Sequence, residues 1–207
     1  MYARVAAFEN RDMSLADELT GQVRERVRSG QDVPDTRGFL MLIDRQSGKS
    51  LGISLFDSEE AIRGAEKAFE RMGDEIPEEM RGRRVSVDVY EVAMQEVGEG
   101  AKAARVSTLE GPPERLDEGI RYAKEQVVPN ARQLGGWKGI LSLVDRNSGR
   151  TKIITFWESD DALRASEEEA TKLRKESADA AGETIGAVDR YEIALAERLA
   201  EVSAARS

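Results

Sequence analysis

The stretch LIDRQSGKS (42–50) ends in Gly48-Lys49-Ser50, the letters that close a phosphate-binding loop. In such a loop backbone N–H groups cradle phosphate oxygens and the lysine neutralises their charge. The pattern also demands a glycine five positions earlier, a strand before and a helix after. Position 43 is Ile, and Ser50 opens another run of strand-forming residues. A turn accounts for every residue instead: Asp44 starts an Asx-type turn and Gly48 supplies the positive φ of a hairpin bulge. The same turn recurs as LVDRNSGRT (143–151), with Asp145 and Gly149 in those roles and Arg45 and Arg146 expected as solvated tips.

Absent residue types narrow the chemistry further. Without Cys there is no disulfide, thiolate metal site or thiol nucleophile, and without His there is no Ser-His-Asp triad or imidazole-ligated metal or haem. Reactions must run on carboxylates, Arg, Lys, Tyr, Ser/Thr or Asn/Gln, or on a bound cofactor or substrate. No metal and no cofactor are expected. With 40 % apolar residues and 34 % charged ones of mixed sign, the chain of 207 residues reads as globular. Its net charge of −9 and interleaved arginines argue against nucleic acid. No apolar run reaches the roughly 18 residues of a membrane span, and the N-terminus is no signal peptide, so a cytoplasmic location is expected.

The elements that position these residues are written twice. A shift of 101 positions places Ala3-Arg4-Val5 on Ala104-Arg105-Val106, Asp44-Arg45 on Asp145-Arg146, and Val87-Asp88-x-Tyr90-Glu91 on Val188-Asp189-x-Tyr191-Glu192. Such a repeat is the first thing to settle about a fold. Residues 1–95 form one copy, 96–103 a linker, 104–196 the second copy, and 197–207 a short terminal helix or frayed tail. Each copy reads strand, helix, two strands joined by the hairpin, helix, strand. Ser14, Ser58 and Ser159 are candidate N-caps, and Pro113 suits a first helical turn. This is the βαββαβ order of the ferredoxin-like α+β fold, with helices on one face of an antiparallel sheet. Two such units in one chain are expected to pack sheet to sheet as an intrachain pseudo-dimeric α/β barrel.

In that fold the first and last strands are neighbours. Arg4 is then expected to pair with Asp88, and Arg105 with Asp189, as cross-strand ion pairs or as an anchor for an anionic substrate. Tyr90 and Tyr191 read as core phenols. The two copies differ most around Trp137 and Trp157, which stand at the positions of Thr36 and Phe56. Tyr122, Asn130 and Arg132 replace Gly21, Ser29 and Gln31 nearby. These five residues are the candidate substrate-binding set, and no residue stands out as a catalytic base.

Gly136-Trp137-Lys138-Gly139 and Phe156-Trp157-Glu158-Ser159-Asp160-Asp161-Ala162 resemble the antibiotic-biosynthesis-monooxygenase-like proteins of the dimeric α/β-barrel superfamily. Arg37-Gly38-Phe39 and Phe56-Asp57-Ser58-Glu59-Glu60-Ala61 are weaker forms of both motifs. The resemblance implies a sheet-lined cavity in each copy and, in the family's enzymes, oxidation of an aromatic or polyketide-like substrate without metal or flavin. Many members carry a His where Ser166 and Ala65 stand here, so His-ligated haem degradation is argued against. The leading expectation is a binder of a small apolar or aromatic molecule, as an enzyme a cofactor-independent monooxygenase. Trp137, Trp157 and Tyr122 would line its pocket, and Asn130 or Arg132 would polarise a substrate oxygen. The alternative is a non-catalytic binding or assembly module of the same fold, and either form is open to pairing as a homodimer. A second-copy cavity above roughly 300 Å³ with converging polar groups favours ligand binding.

Overall fold

A computed structural model describes residues 1–29, 33 and 35–199. The first repeat contributes β1 (Tyr2–Glu9), α1 (Ala16–Ser29), β2 (Gly38–Asp44), β3 (Lys49–Phe56), α2 (Glu59–Glu75), the short α3 (Glu78–Arg81) and β4 (Arg83–Val97). The second contributes β5 (Ala103–Glu110), α4 (Leu116–Tyr122), α5 (Val128–Ala131), β6 (Trp137–Asp145), β7 (Arg150–Trp157), α6 (Asp160–Ala165), α7 (Glu167–Ala181) and β8 (Thr184–Glu197). The hydrogen-bonded order is β1-β3-β2-β8-β5-β7-β6-β4, a closed barrel of antiparallel pairs. The fold is thus the expected pair of ferredoxin-like βαββαβ units in one chain. Among the described residues no helix is long and apolar enough to cross a membrane.

Two compact units do not coincide with the two repeats. One joins residues 1–90 to 191–199, and the other spans 91–190 within the described chain. The cause lies in the last strand of each repeat. At 15 residues β4 is about 50 Å long. Its second half, Glu91–Val97, pairs with β6, while the second half of β8 pairs with β2. Strand β4 therefore runs through Glu96 and Val97, and the irregular connection is confined to residues 98–102. Glu197, where the terminal helix or frayed tail was expected to begin, likewise belongs to β8. Residues 200–207 of that tail lie outside the described chain.

Within the first unit α1 buries Ala16, Leu19 and Val23 against Met41 and Ile43 of β2 and Leu195 of β8. These residues recur at helical spacing, which gives α1 one apolar stripe. Helix α2 starts as expected at Ser58, whose side chain accepts from Ala61 N at 3.1 Å, and it packs Ile62, Ala65 and Phe69 on Phe56. Ser159 repeats this cap on Ala162. Ser14 does not cap α1; Asp12 accepts from Ser14 N at 2.9 Å and opens a short 3-10 turn ahead of the helix.

Both helices of the second unit are interrupted where those of the first run on. Pro129 has no N–H to donate, and the chain before it widens into a π-type turn over Ala123–Val127. Ser166 stands at the break between α6 and α7, and its hydroxyl donates back to the Leu163 carbonyl at 2.7 Å. Such back-bonding bends helices. The hairpins are the turns read from the sequence. Asp44 accepts from Gln46 N at 2.9 Å with Gly48 at φ 72°, and Asp145 accepts from Asn147 N at 3.0 Å with Gly149 at φ 75°. Their tips are not simply solvated. Arg45 binds Glu192 and Asp17, and Arg146 binds Glu91 and Asp117, because a helix start and a long strand bring carboxylates within reach of each tip.

Gly139 marks the bulge in β6. Its φ is 128°, and an added Cβ would lie 1.9 Å from the Glu96 carbonyl oxygen. Gly139→Ala is expected to lower the unfolding free energy by about 3 kcal/mol in urea titrations. Gly21→Ala in α1, where an added Cβ meets nothing within 4 Å, is expected to raise it by about 0.5 kcal/mol.

Candidate functional site

Alternation along β5 points Arg105, Ser107 and Leu109 to the same face as the helices of the second unit. Arg105 is 2 % exposed. Its Nη2 donates to the Leu163 carbonyl at 2.7 Å, Ser166 Oγ at 3.2 Å and Glu167 Oε2 at 3.0 Å. Its Cζ lies 5.4 Å from the centre of the Trp157 ring, a cation–π contact. Trp157 is fully buried, fixed by its Nε1 donating to Thr155 Oγ1 at 3.1 Å, and meets Trp137 edge to face at 5.5 Å.

Arg105, Thr155, Trp137 and Trp157 line an apolar cavity of about 90 Å³ together with Ile120, Val128, Ala131 and Ile153. Several buried donors on it have no hydrogen-bond partner among the described residues: Arg105 Nε and Nη1, Arg174 Nη2 and Trp137 Nε1. The nearest carboxylate oxygen recorded for Arg174 Nη2 is Glu167 Oε1 at 3.9 Å, beyond hydrogen-bond reach. Burial pulls both guanidiniums below their usual pKa. Buried N–H groups left unpaired cost about 1–3 kcal/mol each, so their convergence calls for an acceptor in the cavity. Glu183 also lines it. Burial pushes this carboxyl above its usual pKa, partly offset by the hydrogen bond from Thr151 at 2.8 Å. Among the described residues no cluster of carboxylates could hold a metal ion.

Of the five residues read from the sequence, Trp137 and Trp157 line the cavity. Tyr122, Asn130 and Arg132 do not. Ile120, Ala123, Val127, Val128 and Ala131 form the stripe that faces the cavity, and 122, 130 and 132 fall off its helical period. Asn130 is exposed, and Arg132 reaches outward to Glu96 at 2.6 Å. The expected pairs of Arg4 with Asp88 and Arg105 with Asp189 are replaced by pairs to the second helix. Arg4 binds Glu66 through Nε at 2.9 Å and Nη2 at 3.3 Å, as Arg105 binds Glu167. The side chains point from the sheet toward the helix layer, where a glutamate meets them. Tyr90 and Tyr191 are buried as expected.

Arg174 and Glu183 escaped the sequence reading, although the repeat marks them: each replaces a glycine of the first copy, Gly73 and Gly82. The first repeat has a pocket in the same place, between β1, β2, β3 and the helices, and it is larger, about 580 Å³. Gly52 there stands where Ile153 projects into the second cavity, and Gly73 where Arg174 does. The greater room is therefore in the first copy, while the second cavity falls below the roughly 300 Å³ of a drug-sized site.

No family model matches the chain. The uncharacterized proteins MT2634 and Rv2557 of Mycobacterium tuberculosis (strains CDC 1551 and H37Rv) are each 30 % identical to it over 202 residues, covering 95 % of this chain and 88 % of theirs. Among solved structures, a protein of Fusobacterium nucleatum provisionally assigned as a monooxygenase aligns with TM-score 0.66 at 15 % identity, over 95 % of this chain and 93 % of its own. An anthrone oxidase-like protein aligns with TM-score 0.63 at 15 % identity, over 99 % and 96 %. These likenesses establish the fold. The chain belongs to the family of MT2634 and Rv2557, and it has the ferredoxin-like barrel fold of the antibiotic-biosynthesis-monooxygenase-like proteins, two copies in tandem.

Proposed function

We propose that the second-repeat cavity binds the reacting ring of a small aromatic molecule and that the protein is a cofactor-independent monooxygenase. The observation that carries this reading is the convergence of unpaired N–H donors and a carboxyl of raised pKa on one apolar cavity. Glu183 would take a proton from the activated C–H or phenol of the substrate, a task suited to a carboxylate whose pKa has moved toward neutrality. Arg105, Arg174 and Trp137 Nε1 would hold the resulting oxyanion, which completes their hydrogen bonding. The substrate carbanion then reacts with dioxygen. A CH₂ group becomes a carbonyl, the second oxygen leaves as water, and no outside reductant is needed. Apolar walls keep bulk water from the carbanion. At about 90 Å³ the cavity fits one ring end, not an enclosed polyketide. The same small volume favours the second reading, a binding or assembly module without turnover.

Oxygen uptake with anthrone and a panel of monocyclic phenols separates the two. Consumption of dioxygen with matching carbonyl product is expected. Glu183→Gln should lower kcat by about 10² or more, with KM changed far less. Binding without uptake across the panel establishes the module instead.

The carboxyl also predicts a pH dependence. Because its folded pKa is raised, Glu183 contributes stability that is fully present below about pH 4.3 and lost as pH rises through the folded value. Between pH 4 and 7 the urea midpoint of the wild type should therefore fall relative to that of Glu183→Gln. A relative rise would contradict the raised pKa.

A further inference from the structure

The larger pocket of the first repeat differs in character from the second cavity. Arg4, Ala6 and Phe8 alternate along one face of β1 and form a floor about 13 Å long. Phe39, Met41 and Phe69 supply apolar walls. Ala6 and Gly52 are register partners across β1 and β3, so the middle of the floor carries almost no side chain. Five arginines also line the pocket: Arg4, Arg11, Arg81, Arg83 and Arg84.

Their commitments are unequal. Arg4 is held by Glu66 and stacks on Phe69, with its Cζ 4.0 Å from the ring centre. At the other end of the floor Arg11 is 8 % exposed. Its Nε and Nη2 both donate to the Arg81 carbonyl, at 3.3 and 3.1 Å, and its buried Nη1 has no hydrogen-bond partner among the described residues. Arg81 turns to the carbonyls of Ile76 and Gly82, and Arg83 lies 3.5 Å from Glu9. Arg84 is exposed and makes no ion pair among the described residues. Glu70, Asp74 and Glu78 also line the pocket, but all three are exposed and solvated, so they screen Arg11 weakly. Burial brings the Arg11 guanidinium down to about 10, which leaves it charged at neutral pH. None of Arg11, Arg81, Arg83 and Arg84 has an arginine counterpart in the second copy, where Pro112, Gly182, Thr184 and Ile185 stand.

We infer that this pocket binds an amphipathic anion, a medium-chain or aryl carboxylate. Its head lies on Arg11 Nη1 and Arg84, and its apolar body runs over Ala6 and Gly52 toward Phe39 and Phe69. A buried cation with a free donor demands an anion, and the bare floor beside it demands an apolar chain; one molecule meets both requirements.

The inference is tested by titration calorimetry of the full chain with decanoate, decylammonium and acetate. One decanoate per chain should bind, with decylammonium and acetate weaker by about tenfold or more. Arg11→Gln and Arg84→Gln should each weaken decanoate about fivefold or more. Gly52→Ile, which places in this pocket the side chain that fills the other, should abolish binding. An added Cβ at Gly52 comes no nearer than 4.0 Å to Phe39, and circular dichroism and the melting temperature of the same variant check that it is folded. Equal binding of decylammonium, unchanged affinity in a folded Gly52→Ile variant, or no saturable decanoate binding at millimolar concentration would each overturn the inference.

Discussion

Both repeats are organised around a guanidinium buried where sheet meets helix. Arg4 and Arg105 leave the first strand of their repeat and end inside the layer between sheet and helices, 4 % and 2 % exposed. A cation in that position is tolerable only with an anion and hydrogen-bond acceptors beside it. Glu66 and Glu167 supply the charge, which pins the second helix of each repeat over its sheet. The space flanking the pair is the pocket. Sheet, helix and cavity thus share one electrostatic requirement, satisfied twice at the same spacing of 101 residues.

What differs is how many cations each glutamate serves. Glu66 takes Arg4 as a two-point partner. Glu167 receives Arg105 and Arg190 at hydrogen-bond distance and has Arg174 at 3.9 Å. Positions 174 and 190 correspond to Gly73 and Val89 in the first copy. Two arginines that the first copy lacks therefore surround one carboxylate, and one of them, Arg174, lines the cavity. In the first copy the additional arginines, Arg11 and its neighbours, sit at the far end of the floor. The arginines thus stand at a different place in each pocket, with a different amount of room.

The fold was legible because duplication supplied its own control: periodicity, caps and hairpin turns each appeared twice in register. The length of β4 was not, since Glu96 and Val97 continue as a strand only because β6 offers a pairing edge, a tertiary fact. Within the site, Trp137 and Trp157 were readable as aromatic departures from the first copy. Tyr122, Asn130 and Arg132 also departed, but departure alone ignores which way a helical residue faces. Arg174 and Glu183 were hidden by their ordinariness as charged residues in a chain that is one-third charged. Only the glycines they replace, at positions where a side chain enters a pocket, set them apart.

The exchange of Gly52 for Ile153 carries a further implication. In a homodimer of identical subunits every substitution appears in both cavities, so opening one opens the other. Linking the two copies in one polypeptide removes that symmetry. A residue can then close one chamber while its counterpart leaves the second open, and selection can act on each alone. The short connection at residues 98–102 is in this sense what allows one barrel to hold two unlike chambers.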